Sequence, residues 1–207
     1  MRLVIVSDTH SRHEELGTLA GDVLIHCGDG LNAFAPASDA LQKLDDWFGR
    51  QAFAEIFYVG GNHDFEIERR ATAGETVFEN ATYLQDQSFA VSGVRFYGSP
   101  WIPELVGWAY YRSTADLIET WSAIPENVDI LITHSPPYGV LDRNSRNKHC
   151  GCPALAGRVS AVRPRLHCFG HVHASAGNCD VEGTTYANTS SVDSSYRIAR
   201  APFIFDL

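Results

Sequence analysis

Five short apolar runs, each ending in polar residues able to ligate a metal, constrain this chain more than any other feature: LVIVSDTH (3–10), DVLIHCGDG (22–30), IFYVGGNHD (56–64), DILITHSPP (129–137) and LHCFGHVHA (166–174). Short runs rich in Val and Ile and bounded by glycine or proline read as strands covered on both faces. Helical spacing appears at 37–49, through Leu41, Leu44 and Phe48, and at 107–121, through Trp108, Tyr111, Ala115, Ile118 and Trp121. That alternation predicts an α/β fold. SFAVSGVRFY (88–97) has a Ser-Gly turn between alternating segments, and 176–206 holds further short strands with Gly183 as a turn, so part of the sheet structure is antiparallel. Segment 135–152, with Pro136, Pro137, Gly139 and Gly151, is a long loop of the kind that lines a site.

The polar residues at the strand ends are Asp8 and His10; Asp29; Asn62, His63 and Asp64; His134; and His171 and His173. Ligands of open α/β sheets gather at the carboxyl ends of the strands. In Asp8-Thr9-His10 and His171-Val172-His173, one intervening residue of extended backbone leaves both side chains on one side. Gly60 and Gly61 permit a sharp turn after the third run. Each residue alone has an ordinary structural reading: Asp8 as a helix cap, Asp29 as a turn residue, His134 as a satisfied core histidine. Five strand ends that all carry such residues make the ligand reading win. Two carboxylates, four imidazoles and an amide exceed the needs of one metal and suit two, with Asp29 the natural bridge. Mixed oxygen and nitrogen donors without thiolate point to Mn²⁺, Fe, Zn²⁺ or Ni²⁺ and do not choose among them. HCGC (149–152) lacks the second cysteine pair of a tetrahedral zinc site.

A chain of 207 residues suits one domain, 1–207. Lys and Arg number 16 against 25 for Asp and Glu, a net charge of −9, which repels phosphate backbones and disfavours nucleic-acid partners. Five cysteines cannot all pair, and Cys27 and Cys168 sit in apolar runs as small hydrophobes. The first apolar run is too short for a signal or a membrane span. The expectation is a soluble cytoplasmic protein without membrane partners.

DTH, GDG, GNHD, THSPP and GHVH, in this order, resemble the calcineurin-like metallophosphoesterase superfamily over residues 8–173. GSPWIPE, WAY, ITHSPPYGVLD and RPRLHCFGHVH are similar to the small metallophosphoesterase-domain-containing proteins. The resemblance implies a four-layer sandwich of two mixed β-sheets flanked by α-helices, with a binuclear metal site between strand ends. It implies Asp8, His10 and His173 on one metal, Asn62, His134 and His171 on the other, and Asp29 between them. His63 would face the substrate as acid or oxyanion stabiliser, and Asp64 would orient His63 from behind. Two divalent ions held there would supply an activated nucleophile and stabilise the charge that develops on the phosphoryl oxygens. The second block lacks the Asp-Arg pair of the superfamily's protein phosphatases, so the resemblance implies a phosphodiesterase on small, including cyclic-nucleotide, diesters. The alternatives are a phosphomonoesterase or nucleotide hydrolase, and a noncatalytic scaffold. Arg143 and His149, in the long loop, are the candidate substrate contacts; Trp101, Trp108 and Tyr110 read as core aromatics.

Overall fold

The computed structural model describes residues 1–207. In chain order the elements are β1 (Arg2–Val6), β2 (Val23–His26), α1 (Ala40–Gly49), β3 (Glu55–Tyr58), α2 (Phe65–Thr72), β4 (Thr82–Tyr83), β5 (Gln87–Val91), β6 (Val94–Ser99), α3 (Thr114–Ser122), β7 (Ile130–Thr133), α4 (Pro153–Val162), β8 (Leu166–Phe169), β9 (Gly177–Val181), β10 (Thr184–Asn188) and β11 (Phe203–Asp206). One sheet has the order β11-β1-β2-β3-β4 and the other β5-β6-β7-β8-β10-β9. The inner strands of both run parallel, while β11, β5 and β9 are antiparallel edges.

Strands buried on both faces explain the unbroken apolar runs. Leu3, Ile5, Val23, Ile25 and Phe57 of the first sheet meet Phe96, Ile130, Ile132, Leu166 and Cys168 of the second in one cluster between the sheets. The alternate residues, among them Val4, Leu24, Tyr58, Tyr97, Leu131 and Phe169, face outward into a cluster with Leu44, Trp47 and Phe48 of α1, Leu117 and Trp121 of α3, and Leu155 and Val159 of α4. The result is two mixed sheets flanked by helices, the expected α/β sandwich. Past the ends of β1 and β10, Ser7 bridges Ser190 in parallel fashion, which ties the two sheets together where the polar residues emerge.

The helix expected over 107–121 begins only at Thr114. Ser113 is extended, and its hydroxyl accepts a hydrogen bond from the Asp116 amide at 3.3 Å, so an N-cap stands inside the apolar pattern and Trp108 and Tyr111 precede the helix. Leu117 and Trp121 are buried, whereas Ile118 lies on the exposed face. The hairpin falls where the Ser-Gly turn placed it, between β5 and β6, and Gly183 turns β9 into β10. No helix is long and apolar enough to cross a membrane, and all five cysteines are free.

Candidate metal centre

Every strand-end residue singled out in the sequence converges on one end of the sandwich, but not by extended backbone. Asp8, His10, Asp29 and His171 all have left-handed φ, between 44° and 68°, so these side chains turn into the site immediately after their strands have ended. Asp and His tolerate that region better than most residues, though holding it still costs about 1–3 kcal/mol each. Gly60 and Gly61, by contrast, do not have positive φ. Gly61 is required for close approach: a Cβ there would stand 2.3 Å from Asp29 Oδ1 and 2.5 Å from the Asp29 amide nitrogen.

Two groups of donor atoms result. In the first, His10 Nε2 lies 3.3 Å from His173 Nε2, which lies 3.5 Å from Asp8 Oδ1. In the second, Asn62 Oδ1 stands 2.8 Å from His171 Nδ1 and 3.2 Å from His134 Nε2. Asp29 Oδ2 is 3.4 Å from His134 Nε2, and Asp29 also groups with His10 and His63. It therefore sits between the two groups. Donors held about 2.0–2.2 Å from one ion stand about 2.8–3.6 Å from each other, between the octahedral and tetrahedral edges, so these separations fit the edges of coordination polyhedra. The proton positions fit too. His134 Nδ1 donates to the Cys27 carbonyl at 2.7 Å, which turns Nε2 toward the acceptors Asn62 and Asp29. His10 and His171, driven down to about 4 chiefly by burial, are neutral imidazoles at neutral pH. Burial opposes charge on Asp8 and Asp29, yet the histidines beside them, His173 and His134 respectively, hold both carboxyls well below the usual range. Burial likewise opposes charge on His134, and Asp29 offsets it, raising the imidazole to about 9. A donor set of this chemistry suits a cation. Divalent metal added to chelated protein at a hundred times its Kd is expected to stabilise the fold by about 2.7 kcal/mol. A thermal melt with and without Mn²⁺ should then show a Tm rise of about 5–11 °C; no rise would remove the metal assignment.

Asp64 does not orient His63. Its carboxylate is fully buried and accepts from the amides of Asp29, Leu31 and Gly61 and from the Tyr58 hydroxyl, at 2.7–3.0 Å. Burial, with Asp29's charge, pushes Asp64 up to about 7 against the donors of Leu31, Tyr58 and Gly61. It shapes the turn that carries Asp29, because those amides surround it. His63 is held instead by its own backbone, whose N–H donates to Asp29 Oδ1 at 2.7 Å, and by the Ala33 amide, which donates to His63 Nδ1 at 3.3 Å. The remaining ring proton is thereby on Nε2, 4.0 Å from Asp29 Oδ2.

The cleft over the donors has a volume of about 340 Å³ and is walled by Asn144, Ser145 and Cys150 of the long loop and by Tyr196. Arg143 and His149 are not part of that wall. Asp142, buried in the loop, takes His149 Nδ1 at 2.7 Å and the amides of Gly139 and Gly151, while the Arg143 guanidinium donates to Asn147. The buried carboxylate needs partners and takes His149 as one of them, while Arg143 is turned to Asn147. Tyr196, unmarked in a serine-rich stretch, packs 4.7 Å from His10 and 5.3 Å from His173 between ring centroids. Phe34 and Trp108 stand 5.1 and 5.0 Å from the His63 ring, and Trp101 and Tyr110 are core. His13, His26 and His167 are buried elsewhere, and burial lowers them to about 4, 3 and 3.

Two stacked mixed sheets with nitrogen and oxygen donors gathered from the strand ends of both define a metal-binding α/β sandwich. The family model for Calcineurin-like phosphoesterase matches residues 1–175. Metallophosphoesterase domain-containing protein 1 of Homo sapiens is 35% identical over 100% of this chain and 71% of its own length. A UPF0046 protein of Caenorhabditis elegans is 33% identical over 99% of this chain and 74% of its own. The chain belongs to the calcineurin-like phosphoesterase family, phosphoesterase hydrolases that generally use a binuclear divalent metal centre. In solved structures the fold recurs in the phosphopantetheinyl hydrolase from Mycobacterium tuberculosis, with a TM-score of 0.59 at 15% identity over 91% of this chain and 88% of that one.

Proposed function

We propose that this protein is a binuclear metal-dependent phosphodiesterase acting on small diesters, with cyclic nucleotides among the candidates. Asp8, His10 and His173 would hold one ion and Asn62, His134 and His171 the other, with Asp29 shared and Mn²⁺ the first choice of metal. The reading treats residues 1–207 as one domain working in the cytoplasm, in keeping with five free cysteines. When bound, two divalent ions supply an activated nucleophile at neutral pH and Lewis-acid stabilisation of the phosphoryl group.

The observation that carries the diester reading is the position of His63, the one residue lining both the metal cleft and a second cavity beside it. A phosphoryl group in front of His63 has room for an ester arm on either side. Because Ala33 occupies Nδ1, His63 works as a neutral donor whose Nε2–H meets a phosphoryl oxygen as its charge grows. His63→Ala is therefore expected to lower kcat about 10²–10³-fold on nitrophenyl and alkyl diesters alike. A loss confined to the alkyl ester, measured side by side, would identify proton donation to the leaving alkoxide instead. The reading itself is tested with Mn²⁺-loaded protein on bis(p-nitrophenyl) phosphate and p-nitrophenyl phosphate: faster diester turnover supports it, and monoester preference replaces it with a phosphomonoesterase.

A further inference from the structure

The second cavity has a volume of about 830 Å³, well within the range of about 300–1,000 Å³ that small-molecule sites occupy. It lies between residues 31–42 and the start of α2, with Leu31, Ala33, Pro36, Ala37, Leu41 and Phe65 forming its apolar wall. Every charged side chain on that wall already has a partner. Asp39 pairs with Lys43 at 2.9 Å, Arg69 with Glu66 at 2.8 Å and with Glu75 at 3.0 Å, and Arg70 with Glu66 at 3.0 Å. One end of each side-chain amide is engaged as well: Asn32 Oδ1 accepts from the Phe34 amide, and Gln42 Nε2 donates to Asp46. A charged ligand would have to compete with one of these ion pairs to gain its own. An apolar one has only surface to cover.

We infer that this cavity receives an uncharged, apolar arm of the substrate, an alkyl or acyl chain, while the phosphate sits in the metal cleft across His63. The inference rests on the phosphodiester reading and narrows its substrate class to diesters with one apolar arm. Apolar burial makes each enclosed methylene worth about a fourfold gain in affinity.

The test is calorimetric binding of O-methyl, O-butyl and O-octyl methylphosphonate, unreactive diester-like anions with one arm, to the Mn²⁺-loaded full chain. Affinity is expected to climb with chain length, reaching at least about 100-fold from methyl to octyl. In Ala37→Trp, at an exposed position on the wall, the bulky ring takes up the space and the octyl-to-methyl ratio should fall toward one. Equal affinities across the series in the unmodified protein, or a ratio untouched by Ala37→Trp, overturn the inference. Turnover of bis(p-nitrophenyl) phosphate is followed in parallel. Flat affinities with normal turnover unseat only the apolar arm. Affinities that rise with chain length, without turnover, support the cavity assignment and unseat the phosphodiesterase.

Discussion

Asp29→Asn is expected to reduce metal-dependent phosphoester hydrolysis by more than about 100-fold, since even partners one step removed from a metal typically cost about 10–100-fold. Asp29 is 2% exposed. Its Oδ1 accepts the His63 amide at 2.7 Å and its Oδ2 faces His134 Nε2 at 3.4 Å. An asparagine can keep the first contact with its carbonyl oxygen, so the turn at His63 survives. Its NH₂ then occupies the place of Oδ2, and a group whose lone pair is delocalised into the amide cannot ligate. The fold has little reason to suffer, because losing the Asp29 charge relieves the repulsion that helps raise the Asp64 carboxyl. Metal titration followed by atomic absorption should show a lost or weakened equivalent alongside the lost turnover, with circular dichroism unchanged. Retained activity at two bound ions would remove Asp29 from the shared position.

Gly170→Ala should be nearly as damaging, by a different route. A Cβ at residue 170 would lie 1.8 Å from Ser7 Oγ and 2.3 Å from Asp8 Oδ2. Asp8 accepts the His171 amide through both oxygens, at 3.0 and 3.1 Å, so the turn after β8 is packed against the turn after β1 with no room between them. Overpacking of this kind costs about 1–3 kcal/mol, which in a chain of this size is about 2–4 °C of Tm per kcal/mol. Relief can come only from moving Ser7 and Asp8 away, which spreads Asp8 from His173 and opens the first donor group. A lowered Tm in chelator together with a smaller metal-induced rise is the expected pair of results. A variant with full metal response would mean that the two turns separate without disturbing Asp8.

The strand ends were legible because burial on both faces writes an unbroken apolar run, and the polar residues that stop each run are the ones that need a site. The same pattern marked α1, whose Leu41, Leu44 and Phe48 are all buried. It could not mark α2, which buries Ile67 alone, or α4, built largely of small residues. For α3 the apolar spacing continued past the true start, and the capping pair Ser113 and Asp116 was the better signal. Asp64 shows a deeper limit: adjacency to His63 suggested a partnership, whereas successive side chains on such a turn point apart, and Asp64 reaches amides that lie 3 and 35 residues away in the chain. Tyr196 reaches the site through a bridge and a turn past β10 that no local pattern encodes.

The pairing of β1 with β11 has a consequence for how the chain is made. Leu3 pairs with Phe205 and Ile5 with Phe203, so β1 waits through the synthesis of about 200 further residues for β11 to close its outer edge. At about 5–20 residues per second, that edge stands open for about 10–40 s while its inner neighbours assemble. An apolar strand with an unsatisfied edge is a template for other nascent chains. Its protection during synthesis is therefore a matter of chaperone occupancy and translation speed.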